Sequence, residues 1–327
     1  MPIRFLNKLG ISFLLISKVY SEGLPNPSSR PQEQLRTIDV FADALYWKTG
    51  ERVEWGFTTA ASGNSLQVDY KTFSFDWAPG FRIGIGYNME HNQWDTQLSY
   101  AWFQSKATGH ANGLVTGASL ADRLSLLEPF SKGKAQINLR YNIFDWDLGR
   151  SFQISDYLSF RPFIGLKGGR INQIIHFHWK SPRALDLFPL DAAETMTNRF
   201  QGGGPKGGMT GKWSFGNIQT NTFSLIGTFE AGFLWGHWTV RNKYLDNLLT
   251  LIKVKTPNRN FGAFMLHAFL GFGWDANFDC DRSHFSVKIG YEIEDWFDQF
   301  QIYSDISGAQ TNDLILQGLN AGVHFDF

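Results

Sequence analysis

The segment Ile315-Leu316-Gln317-Gly318-Leu319-Asn320-Ala321-Gly322-Val323-His324-Phe325-Asp326-Phe327 alternates with a period of two. Ile315, Leu319, Ala321, Val323, Phe325 and Phe327 share one side of an extended strand. Asn320, Gly322, His324 and Asp326 share the other. This alternation, ending on an aromatic residue, is expected of the closing strand of an outer-membrane β-barrel. A large apolar side chain at every second position needs an apolar medium on that side, and hydrocarbon supplies one.

Earlier segments repeat the pattern. Phe81, Ile83, Ile85 and Tyr87 alternate with Arg82, Gly84, Gly86 and Asn88. After a polar turn, Trp94, Thr96, Leu98, Tyr100 and Trp102 alternate with Asp95, Gln97, Ser99 and Ala101. Aromatic ends around an aliphatic middle suit a strand that crosses two membrane interfaces. Ile137, Leu139, Tyr141 and Ile143 stand against Gln136, Asn138, Arg140 and Asn142, which assigns the first set to lipid and the second to the lumen. Leu158, Phe160, Pro162, Ile164 and Leu166 form the next apolar face. Pro162 is unexpected inside a fully paired strand and suggests a bulge or register shift. Strands over 222–235, 264–274 and 285–294 follow, with less regular ones at 38–48 and 239–255. The expected fold is an all-β, antiparallel transmembrane barrel of about ten strands, within a range of eight to fourteen.

Short connections are expected near 88–93, 150–157, 236–238 and 275–283. Long ones are expected near 50–70, 105–132, 175–220 and 296–312. Short periplasmic turns facing long outer loops are usual in such barrels. A single sheet with one apolar face also has no second layer to cover it, and closure around a polar interior resolves this.

Composition agrees. Aromatic residues make up 16% of the 327 residues, with 30 Phe and 12 Trp, while charged residues are only 18%. Girdles of aromatic side chains, 33 glycines and a polar lumen fit that mixture. The formal net charge is +0. There is no basic footprint for nucleic acid. The single cysteine, Cys280, excludes an internal disulfide, so it is either an incidental thiol or an intermolecular bridge.

At the N-terminus, Arg4 and Lys8 precede a short apolar run from Leu9 to Ile16. Residues 1–21 read as a secretory signal peptide, too short to span a bilayer as a helix. Their removal takes away Arg4, Lys8 and Lys18 and no acid, leaving a charge near −3. Residues 22–36 carry Pro25, Pro27 and Pro31 and read as a linker, so the barrel is expected over 37–327.

Chemical motifs are weak. In Gly202 to Lys212, Lys206 occupies the place of the first glycine of a phosphate loop and Trp213 replaces its Ser/Thr, so an outer loop is expected there. His176 and His178 lie on one strand face without the further ligands a metal needs. No Ser–His signature of a barrel hydrolase is present. No catalytic residue, metal or cofactor is expected.

The charges on the inner face are more informative. Arg82, Asp95, Arg140, Arg161, Lys167, Glu230, Lys288, Glu292 and Glu294 are the candidate lumen-lining residues. An Arg or Lys on the lipid face at the midplane would cost about 2–4 kcal/mol, which is the reason for turning them inward. They form either a salt-bridged plug or a wet filter with a modest ion preference.

Leu45-Tyr46-Trp47-Lys48, Trp77-Ala78-Pro79-Gly80-Phe81-Arg82, Trp94-Asp95, Leu148-Gly149-Arg150, Arg161-Pro162-Phe163-Ile164-Gly165-Leu166 and Glu294-Asp295-Trp296-Phe297 together resemble the Legionella-type pore-forming major outer membrane protein family, relatives of which occur in environmental chlamydiae. The resemblance covers most of residues 40–327. It implies a porin-like barrel in a bacterial outer membrane and carries no catalytic residues. Chlamydial members of the wider porin group are cysteine-rich, and this chain has only Cys280. The expected function is passive diffusion of small polar solutes or ions. The alternative is a plugged barrel that acts as an adhesin or structural protein. Ten strands or fewer would favour the plug, since about eight are already filled by side chains. Expected partners are outer-membrane lipid, lipopolysaccharide, a barrel-assembly machinery reading Phe325 and Phe327, and further copies of the chain.

Overall fold

The computed structural model describes residues 37–62, 65–89, 93–117, 119, 130–181, 191–218, 221–247, 251–255, 259–278, 283–304 and 308–327. The leader and linker expectations, and Cys280, lie outside these residues.

The described strands are β1 (Thr37–Gly50), β2 (Glu54–Ser62), β3 (Ser65–Thr72), β4 (Trp77–Asn88), β5 (Trp94–Gly117), β6 (Phe130–Arg150), β7 (Phe152–Ser155), β8 (Leu158–Lys180), β9 (Asp191–Ile218), β10 (Asn221–Asp246), β11 (Leu251–Lys255), β12 (Arg259–Phe278), β13 (Ser283–Ser304) and β14 (Gly308–Asp326). Ten of them close a barrel in the order β1, β4, β5, β6, β8, β9, β10, β12, β13, β14 and back to β1, every pair antiparallel. The β2–β3 hairpin joins β5, β7 joins β8 and β11 joins β10, all outside the ring. The expectation of an antiparallel barrel of about ten strands holds.

The ends of β4 and β6, of β9 and β12, and the starts of β5, β8, β10 and β13 share one end of the barrel, the turn end. β1 starts there and β14 finishes there, stitched by Ile38 N–H to Phe327 O at 3.0 Å and Phe327 N–H to Ile38 O at 3.1 Å. The expected connection at 236–238 is instead the middle of β10, and β9 gives way to β10 between Ile218 and Asn221. Most of the expected long loops are strand. β9 runs 28 residues and β10 runs 26, although about ten residues cross a bilayer. The far halves of these strands therefore stand outside the membrane.

That height inverts the side-chain pattern. Near the turn end the outer face is apolar: Phe144 and Trp146 of β6, Ile164 and Leu166 of β8, and Leu270 and Phe272 of β12 are all exposed. In the far half of β6, Ile137, Leu139, Tyr141 and Ile143 are buried inside the barrel while Gln136 and Arg140 lie on the outside. Water is now the outer medium and the interior is dry, so the same alternation carries the opposite meaning. Arg140 consequently projects from the outer wall rather than into the lumen.

The glycine run of β9 is strand, not loop. Its inward glycines let β9 approach its neighbours; a Cβ on Gly204 would run into the Phe233 carbonyl oxygen. Pro205 points outward, and β9–β10 pairing lapses between Lys206/Gly232 and Gly203/Trp235 without a change of register, where proline has no N–H to give. Pro162 sits where β8 passes from β6, last paired at Phe163, to β7, first paired at Phe160, so its missing donor costs little.

Candidate functional site: the charged and aromatic lumen

The lumen has two layers. Toward the turn end, inward positions all around the ring carry charge. Arg82 on β4 reaches Asp43 Oδ2 on β1 at 3.2 Å and Glu292 Oε2 on β13 at 3.3 Å. Lys288 Nζ lies 3.1 Å from the same Asp43 oxygen, to which Asn320 Nδ2 also donates at 3.3 Å. His267 Nε2 is 3.3 Å from Glu292. Across the barrel, Lys167 contacts Glu230 at 3.1 Å, Asp145 at 3.4 Å and Glu294 at 3.8 Å. Lys206, from the glycine run, contacts Asp145 at 3.0 Å and Glu230 at 3.1 Å. Arg161 forks onto Asp95, with Nε 2.9 Å from each carboxylate oxygen, and reaches Asp147 at 2.7 Å. Such bidentate, charge-assisted bonds fix geometry as well as adding energy. A cavity of about 300 Å³ remains among these groups.

Above it lies an aromatic layer. Ring centroids run Phe103–Trp47 at 5.4 Å, Trp47–Tyr141 at 6.1 Å, Tyr141–Trp296 at 6.3 Å, Trp296–Phe200 at 6.3 Å and Phe200–Trp238 at 4.7 Å. These rings come from β5, β1, β6, β13, β9 and β10, so the layer spans the lumen, with Leu139, Ile171, Met265, Leu314 and Leu316 packed among them. The polar tips of three rings point down into the charged layer. Trp47 Nε1 donates to Glu292 Oε1 at 2.9 Å, while Tyr141 Oη and Trp296 Nε1 both donate to Glu294 Oε1 at 2.6 Å. Glu292 and Glu294 thus join the two layers, each ring contributing apolar area and a satisfied donor.

A second apolar cluster caps the far end. Val53, Trp55, Phe73 and Phe75, from the segment between β1 and β4, pack with Phe130, Phe177 and Trp179. Gly133 makes room for them, since a Cβ there would sit 2.8 Å from the Trp179 ring.

Between the apolar clusters Glu51 is buried, accepting from Gln173 Nε2 at 2.5 Å. Burial pushes its carboxyl from an ordinary value of 4.5 up to about 8. Below pH 4.5 folded and unfolded chains are both protonated and the group is neutral for stability. Between 4.5 and 8 the unfolded chain releases a proton that the folded chain keeps, so stability falls as pH rises through that window and levels off above 8. The Glu51→Gln variant is expected to lack this slope and to exceed the wild type at pH 8 by a few kcal/mol at most. Urea unfolding of the refolded protein at pH 5, 6.5 and 8 measures it; parallel curves would refute it.

Of the candidate lumen residues, Arg82, Asp95, Arg161, Lys167, Glu230, Lys288, Glu292 and Glu294 meet in the charged layer, and Arg140 does not. Asp43, Asp145, Asp147 and Lys206 belong to the layer as well, although the sequence did not single them out. Asp145 and Asp147 alternate with Phe144 and Trp146, and that was the available signal. Lys206 was hidden among glycines. His176 and His178 both face outward on β8, and His176 Nδ1 lies 3.3 Å from Thr195 Oγ1. The rings of Phe325 and Phe327 lie 5.8 Å apart on the outer face of the turn end.

A closed antiparallel ring with an apolar outer belt and a filled, ion-paired interior defines an outer-membrane β-barrel. A family model described as Legionella pneumophila major outer membrane protein precursor matches residues 30–327, and the chain belongs to that family, whose place is the bacterial outer membrane. Three solved structures are similar to it. They are the outer membrane protease OmpT from Escherichia coli (12% identity, covering 90% of this chain and 97% of that one, TM-score 0.47), a major outer membrane protein from Thermus thermophilus (11%, 90% and 100%, 0.34) and the toluene transporter TodX of P. putida (9%, 89% and 89%, 0.31). Proteolysis and toluene transport are properties of those proteins. No curated protein matches the chain.

Proposed function

We propose that this protein is a sealed outer-membrane barrel, a non-catalytic structural and surface-presenting protein rather than a diffusion pore. The aromatic layer carries the reading. Trp47, Tyr141, Trp296, Phe200, Phe103 and Trp238 are each at most 1% exposed, as expected of side chains packed in a dry layer across the lumen. The charged layer below supports it, because its Lys and Arg groups are bound up in ion pairs instead of lining an open channel. Phe325 and Phe327, at the end of the closing strand, would serve the barrel-assembly machinery during insertion.

The refolded protein is expected to give no current steps in planar bilayers. Liposomes containing it are expected not to swell in small sugars, while circular dichroism shows an intact barrel. Regular steps from the intact protein would overturn the sealed reading in favour of a porin. The cavity of about 300 Å³ beneath the aromatic layer is the feature that favours this second reading.

A further inference from the structure

The outer wall above the membrane is charged on one side. One outward row runs through Tyr100, Phe144, Gly168, Gly203 and Trp235, aligned across β5, β6, β8, β9 and β10 by their register, and Phe144 and Trp235 are the last large apolar side chains turned outward below Arg140 and Arg241, which sets the hydrocarbon boundary on this side. The next row holds Arg170, aligned with Asn142 and Gln201, with the aromatic Trp102 at its β5 end. The row after it holds Arg140 and Arg199 with Asn172 between them, and the third holds Lys106 and Arg241. All five cations are exposed. Outward positions on one strand are about 7 Å apart, so the cations begin within one row of the hydrocarbon boundary.

Among the described residues, the only carboxylate turned outward on this wall above that boundary is Asp191, at the far tip of β9. The wall made by β13 and β14 presents Asp295, Asp298 and Asp313 instead. Two of the guanidinium groups are held along the wall by neighbouring amides. Arg170 Nη2 donates to Gln201 Oε1 at 2.8 Å, and Arg199 Nε donates to Asn172 Oδ1 at 3.0 Å. Each bond uses one of five N–H donors on a planar fork suited to phosphate oxygens.

We propose that this wall binds the phosphorylated headgroup of an outer-leaflet glycolipid, with Arg140, Arg170 and Arg199 as the phosphate ligands. The height argues for a lipid over a free anion. Acyl chains lying on Phe144 and Trp235 bring their headgroup phosphates to the Arg170 row, so one molecule satisfies the apolar belt and the cations together. The inference concerns the outer wall and is independent of whether the lumen conducts.

The test uses the full chain, folded in detergent, with bis-phosphorylated lipid A, enzymatically dephosphorylated lipid A and inorganic phosphate as probes. The wild type is expected to bind the phosphorylated lipid at least about tenfold more tightly than the dephosphorylated one, with a salt-sensitive affinity. The triple variant Arg140→Gln/Arg170→Gln/Arg199→Gln is expected to lose that preference, and Lys48→Gln on the opposite side of the barrel to keep it. Gel mobility without boiling checks that each variant is folded. Equal binding of the two lipids by the wild type would overturn the proposal without any variant. So would unchanged affinity in the triple variant, or displacement of lipid A by an equal concentration of inorganic phosphate.

Discussion

Replacing Lys167 with Met is expected to destabilise the barrel by about 3–5 kcal/mol, the range for removing one partner of a buried ion pair. Lys167 is 5% exposed and lies within 4 Å of Glu230, Asp145 and Glu294. Methionine has nearly the same length, so packing survives and the lost quantity is charge. Glu230 and Asp145 would then depend on Lys206 for their ion pairs, and Glu294 on its Tyr141 and Trp296 hydrogen bonds. Removing the charge on both sides, with Lys167→Met/Glu230→Gln, should recover part of the loss, because the uncompensated carboxylate carries most of the penalty. Urea unfolding of the lipid-refolded protein, followed by gel mobility and tryptophan fluorescence, measures the cycle. A loss below about 1 kcal/mol in the single variant would mean that water enters the layer and screens it.

The second large effect is expected at Trp47. Trp47→Ala should destabilise by about 3–5 kcal/mol, the usual range for truncating a fully buried aromatic residue. The indole is 0% exposed, packs against Phe103 and Tyr141, and gives its N–H to Glu292. Its removal opens a hole in the sealing layer directly over the charged cavity. Barrels that remain folded should admit water and small ions that the wild type excludes, read as a rise in liposome leak. Trp47→Phe should restore much of the packing while removing the indole donor from Glu292 Oε1, separating the seal from that hydrogen bond. Loss of stability without leak would place the seal in the second apolar cluster, around Trp55 and Trp179.

These two residues also mark how far the chain was legible. Lys167 follows a clean alternating segment, Leu158 to Leu166, whose apolar face could only point outward at membrane height. Its lumen position therefore followed from the cost of charge in lipid. Trp47 lies in Leu45-Tyr46-Trp47-Lys48, where each face carries one large aromatic ring, and its direction was set by contacts with β5, β6 and β13. Arg140 shows the limit most sharply. Its segment alternates as cleanly as any, yet a period of two states that the faces differ and not which one is wet.

Extended strands, antiparallel hairpins, closure into a ring of about ten and the residues that meet hydrocarbon near the turn end were all written in the order of the residues. Periodicity and the penalty for an unpaired backbone in lipid are local properties, and a single chain carries them. Three things came only with the folded barrel: strands that continue far beyond the bilayer, an outer medium that changes from lipid to water along each strand, and a lumen filled by rings from six strands. They depend on register and height, which arise when distant segments pair, and no stretch of residues holds them alone.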